Sequence, residues 1–137
     1  MISSYGYGAV RGGPPVVTIT LVAINALVFL YMLTLGGLDR DIFILKFGVI
    51  PLELTSAGQF ETLGPFGPDI TSPIPTWGTL FTSMFIHGGV LHIAGNVLFL
   101  YGFGDRLEAK LGHLKYLMFY LAVGVAAVWA QVAINMD

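Results

Sequence analysis

The sequence has no cysteine among its 137 residues. That excludes disulfides, thiolate metal sites and a cysteine nucleophile. Charge is also scarce. Charged residues make up 10% of the chain and hydrophobic residues 55%, whereas a soluble domain carries about a quarter charged residues. So little polar surface makes lipid the better solvent. The formal net charge is -2, so there is no basic face for nucleic acid, and no nucleic-acid partner is expected. No repeat or low-complexity tract is visible, and the length fits one compact domain.

Long apolar runs are present instead. A bilayer core of about 30 Å needs roughly 20 apolar residues of helix. The stretch Val16 to Leu35 has no charge, follows Pro14-Pro15 and precedes Gly36-Gly37, which suits a helix start and stop. It is too long for a signal-peptide core, and its leading tail carries one basic residue, Arg11. A second span is expected from Trp77 to Phe103, interrupted by His87, Gly88, Gly89, His92, Gly95 and Asn96. A third is expected from His113 to Ile134, with Ala122, Ala126 and Ala130 at a spacing that lets helices approach in lipid. The expected fold class is all-α: an integral membrane helical bundle, with a tail at 1–15, helices near 16–35, 77–103 and 113–134, and a loop at 36–76.

Arg106 and Lys110 lie between the second and third spans, Lys115 lies in the first turn of the third, and Arg11 lies before the first. Lysine and arginine favour the cytoplasmic side. The expected orientation therefore has the N-terminus inside, with residues 36–76 and the C-terminus outside. Within the long loop, residues 38–54 are apolar with scattered charge and suit short interfacial segments. Leu63 to Thr76 is rich in proline and glycine and should be irregular.

The chemistry-bearing stretch is His87-Gly-Gly-Val-Leu-His92-Ile-Ala-Gly-Asn96. Asp105 should mark the cytoplasmic edge of the span; by helix rise, Asn96 then lies roughly 13 Å, His92 about 20 Å and His87 about 27 Å above it. His92 and Asn96, four residues apart, share one helix face. His87, five residues before His92, would point about 140° away. That disfavours a metal site built on the two histidines, and no carboxylate or thiol is near in sequence. No metal or cofactor is expected. His92 and Asn96 can both donate to a developing oxyanion. They can equally act as polar glue between helices. Gly88, Gly89 and Gly95 strip side chains from the same stretch, so a helix or a substrate backbone can come close.

These residues resemble the HG-x-x-x-H-x-x-x-N signature of rhomboid intramembrane serine proteases. The resemblance extends upstream through Thr79 to Ile86. Downstream, Phe103-Gly104 to Glu108 and Gly112 is similar to the family's F-G-x-x-x-E-x-x-x-G turn. It implies three helices of a six-helix rhomboid-like core that hosts a serine-histidine dyad. It further implies that His92 and Asn96 stabilise the oxyanion, that His87, Gly88, Gly89 and Gly95 are structural, and that Glu108 and Gly112 lock the cytoplasmic turn. The loop 36–76 would be the family's membrane-dipping first loop. Expected partners are membrane lipid, transmembrane protein substrates, and either a missing C-terminal half or a second copy.

The sequence departs from the family's pattern in one decisive respect. No G-x-S-G occurs, and Ser3, Ser4, Ser56, Ser72 and Ser83 all stand in other contexts. Trp77 is followed by Gly78 where many relatives have arginine. The expectation is therefore a truncated rhomboid-type endopeptidase that lacks nucleophile and base, and is inactive as residues 1–137. The alternative is a non-catalytic membrane adaptor that binds transmembrane segments. A small channel has thinner support, since three spans line a pore only as an oligomer.

Overall fold

The computed structural model describes residues 13–55 and 67–134. The tail at 1–12 with Ser3, Ser4 and Arg11, the segment 56–66 with Ser56, and residues 135–137 lie outside the described residues. Every regular element among the described residues is helical. Helix α1 spans Val16–Thr34 and α7 spans His113–Ile134; both are long and apolar enough to cross a membrane. Leu27 on α1 and Leu114 on α7 are among many large apolar side chains left exposed. Water would penalise that surface and lipid does not. The molecule is an all-α membrane bundle.

Between the spans run α2, Gly37–Phe47, and α3, Pro51–Thr55. Helix α2 carries Asp39 in its first turn and Lys46 in its last, matching the helix dipole. It has no buried residue. It rests on α1 through the edge-on ring pair Tyr31–Phe43, with centroids 5.4 Å apart. The Thr82 hydroxyl donates to the Phe47 carbonyl at 2.6 Å and anchors the end of α2 to the later helix Thr76–Thr82.

The expected second span, 77–103, is not one helix. Helix α4, Thr76–Thr82, runs into a 3-10 turn at Ser83–Phe85. After a break, α5 begins at Val90 and runs to Phe99. The two arms meet at 85°. The second arm continues through a five-residue π-turn, Leu100–Gly104, into α6, Asp105–Leu111. Asp105 therefore does not end the helix. A charge marks where a helix can leave hydrocarbon, but backbone hydrogen bonding carries on until Gly112, whose φ of 79° and ψ of 160° fit glycine almost alone.

Leu21, Leu100 and Tyr116 form the core, with Val17, Phe85, Leu107 and Tyr120 packed against them. It lies where α1 crosses the π-turn and the start of α7. Gly104 permits that crossing: a Cβ there would meet the Tyr116 hydroxyl at 2.7 Å and Thr18 Oγ1 at 2.9 Å. Ala122, Ala126 and Ala130, by contrast, are exposed.

Candidate functional site

Two polar clusters occupy opposite ends of the second arm. The first is built on Glu108 of α6, which is 2% exposed. The Val17 and Thr18 N–H groups donate to its two carboxylate oxygens at 2.8 Å each. The Thr18 hydroxyl donates to Oε2 at 2.7 Å. His113 Nδ1, at the start of α7, pairs with Oε1. The first N–H groups of any helix lack internal partners, and Pro15 offers no side-chain cap to α1. Glu108 supplies that cap from ninety residues away, and its negative charge suits the positive end of the helix dipole. Three elements, α1, α6 and α7, thus share one carboxylate. The motif in the sequence singled out Gly104, Glu108 and Gly112 but not the partners Thr18 and His113. Thr18 follows the Pro-Pro start of α1, the position where an orphan N–H must find an acceptor, and that was the available signal.

The second cluster lies at the bend. Gly89 precedes α5 with extended backbone, φ -179°, so His87 is not on the helix at all. The chain turns at 86–89 and brings the imidazole back against α5. The Asn96 amide and His87 Nε2 are 2.6 Å apart, and the His87 and His92 rings meet edge-on with centroids 5.0 Å apart. The expected 140° separation assumed a continuous helix, and the break removes it. Gly88, Gly89 and Gly95 each have open space where a Cβ would stand. No close helix approach uses them among the described residues.

His92 and Asn96 line a cavity of about 450 Å³, together with Ser83, Met84, Tyr120 and Gln131. Helices α5 and α7, with the π-turn, supply most of its wall, and the lining is predominantly apolar. Short π-helical turns recur at functional sites. Ser83 reaches the cavity wall, but its hydroxyl donates back to the Leu80 carbonyl at 3.2 Å. Among the described residues no group of three or more histidine or acidic side chains could hold a metal ion. Chemically, the cluster offers an imidazole and a carboxamide, both capable of donating hydrogen bonds, at the edge of an apolar chamber.

Residues 75–137 match the family model of the Rhomboid domain. Over 115 residues the chain is 26% identical to "Rhomboid protease GluP" of Bacillus subtilis (strain 168), an alignment covering 84% of this chain and 19% of that protein. The chain thus spans about a fifth of the length of the curated relative it matches. No solved structure matches.

Proposed function

We propose that the chain is a rhomboid-family protein, a reading supported by its match to the Rhomboid domain over residues 75–137, and that it forms the oxyanion side of an intramembrane serine endopeptidase. The observation that carries this reading is the shared cavity: His92 and Asn96 line one apolar chamber. Donors in a chamber with few competing waters are worth far more than in bulk solvent. In the proposed reaction a serine hydroxyl attacks a peptide carbonyl, a histidine takes its proton, and the carbonyl oxygen gains negative charge. His92, Asn96 and a backbone N–H bind that oxygen. The nucleophile in a G-x-S-G motif and the dyad histidine are not among these 137 residues. They would come from a further segment packed across the cavity.

Under this reading the substrates are transmembrane protein segments cut near their outer ends. The Glu108 end faces the cytoplasm, with the N-terminus inside. Loop 36–76 and the C-terminal end of α7 lie outside. Helix α2 lies along the outer interface, and the chain associates with its catalytic segment or with a second copy. Purified residues 1–137 should cleave nothing, because covalent catalysis needs the absent serine.

The test is cleavage of a single-span reporter in liposomes by the full coding region that contains this segment. Wild type should cut it. Asn96→Ala and His92→Ala should each lower kcat by about 10²–10³, as loss of one oxyanion donor does. Unchanged kcat in both variants would sink the oxyanion assignment. A non-catalytic adaptor is the second reading, favoured by the missing G-x-S-G. It predicts retention of the reporter without cleavage.

A further inference from the structure

The oxyanion reading leaves His87 without a task, yet the structure buries it more completely than the other two histidines: it is 1% exposed. His87 Nδ1 lies 3.1 Å from the Phe85 carbonyl oxygen. A carbonyl can only accept, so Nδ1 carries the proton, and in the neutral ring Nε2 is then bare. A bare Nε2 can only accept. The Asn96 side-chain nitrogen 2.6 Å away must therefore be its amide NH₂, donating one hydrogen. One backbone carbonyl thus fixes a tautomer, and the tautomer fixes which way round the Asn96 amide stands. The same ring abuts His92 edge-on. His87 itself does not line the cavity, whereas His92 and Asn96 do.

We propose that His87 is a positioning residue, holding the Asn96 amide with its second N–H free for the cavity and backing the His92 ring. The proposal rests on the assignment of Asn96 and His92 as oxyanion donors, and it deepens it: the turn at 86–89 becomes part of the site. A histidine that merely fills space would need no particular tautomer. A positioning histidine needs a lone pair on Nε2. The distinction matters because an oxyanion donor that is free to rotate must be ordered during the reaction, and a misplacement of about 1 Å can cost about 10²-fold in rate.

The first test is nitrogen-15 NMR of labelled chain in lipid nanodiscs. His87 should show a protonated Nδ1 and an unprotonated Nε2. The two Asn96 amide protons should be separated, one hydrogen-bonded and one not. His87→Gln, whose side-chain carbonyl can accept, should keep that separation. His87→Leu should collapse it while leaving the backbone amides of α1 and α7 in place. A protonated Nε2, or an Asn96 amide indifferent to His87→Leu, overturns the proposal. In the complete protease, His87→Leu should lower kcat by about 10² with KM little changed. His87→Gln should restore much of it, and adding His87→Leu to Asn96→Ala should cost far less than it does alone, because residues acting as a unit are non-additive. Equal losses in His87→Gln and His87→Leu overturn it as well. An unchanged kcat in Asn96→Ala overturns the oxyanion assignment and the catalytic consequence drawn for His87. The NMR result judges the positioning contact separately.

Discussion

The two ends of the second arm use polar residues in opposite ways. At Glu108 both carboxylate oxygens are taken: four donors from two elements, α1 and α7, converge on them. At the bend, one hydrogen bond joins Asn96 to His87, and the remaining polar capacity of Asn96 and His92 faces a chamber. A saturated cluster holds helices together, since any loss leaves buried donors unpaired. An unsaturated one is available to a ligand. A single apolar arm thus carries a fastening at one end and a cavity lined by less fully paired polar groups at the other. The same contrast frames the choice between polar glue and the proposed oxyanion site, two readings that sequence alone left open for His92 and Asn96.

The sharpest way to break this comparison is at Glu108. Glu108→Ala should destabilise the chain by about 3 kcal/mol, because it strands the N–H groups of Val17 and Thr18 and the Thr18 hydroxyl away from water. Glu108→Gln should be nearly as harmful. Its amide keeps one acceptor oxygen and turns an NH₂ group toward donors. Denaturant unfolding in mixed micelles measures both. A neutral Glu108→Gln would mean that the carboxylate does not hold the helices.

Gly104→Ala is next, at about 2 kcal/mol. The new methyl would press on Thr18, whose hydroxyl is committed to Glu108, and on the hydroxyl of buried Tyr116. Thr18 cannot retreat without breaking the fastening. The same unfolding assay reads it, and coupling to Glu108→Ala in a double-mutant cycle should be large if the two share one structure. Additive losses would separate the helix crossing from the carboxylate.

How much of this was legible beforehand depends on which physical term decides it. The all-α membrane class follows from composition, because lipid tolerates almost nothing else with so little charge. Spans α1 and α7 follow from uninterrupted apolar runs. The bend does not. Gly88 and Gly89 signal only that backbone can come close; they do not say that the helix restarts at Val90 with a new axis. That missing fact misplaced His87, since its direction had been reckoned along a helix it never joins. Asp105 bears on a different question: side-chain charge reports depth in a bilayer, whereas helix ends are set by backbone geometry such as that of Gly112. Glu108 was singled out, but its partners Val17 and Thr18 lie some ninety residues earlier. No periodicity spans that distance.

At the bend the expected stability effect is smaller. Asn96→Ala should cost about 1 kcal/mol or less, since it leaves one acceptor, His87 Nε2, without its donor. A residue kept for binding should matter more to kcat than to folding. If Asn96→Ala instead unfolds the chain as Glu108→Ala does, the bend is a second fastening and the contrast between the ends disappears.

The smallest effect is expected at Asp69, a carboxylate tied on the loop between the first and second spans rather than sealed in the bundle. It accepts the Thr71 N–H at 2.8 Å and the Lys46 ammonium at 3.3 Å. Its hydrogen bonds to Thr71, then the Lys46 contact, hold its pKa at about 2 against an ordinary 3.8. A carboxyl lowered by folding contributes stability above its unfolded value, and that contribution fades as the pH falls through its folded value. Any contribution should therefore be intact above about pH 4 and vanish toward pH 2. Its side chain is 68% exposed, however, and exposed ion pairs contribute little and are screened by salt. Asp69→Asn should leave the unfolding midpoint at pH 7 unchanged within error and only slightly flatten its decline between pH 4 and pH 2. A large drop at neutral pH would show that a wet, tied carboxylate on the loop can fasten this fold as a buried one does. Burial would then no longer distinguish the Glu108 end from the rest of the molecule.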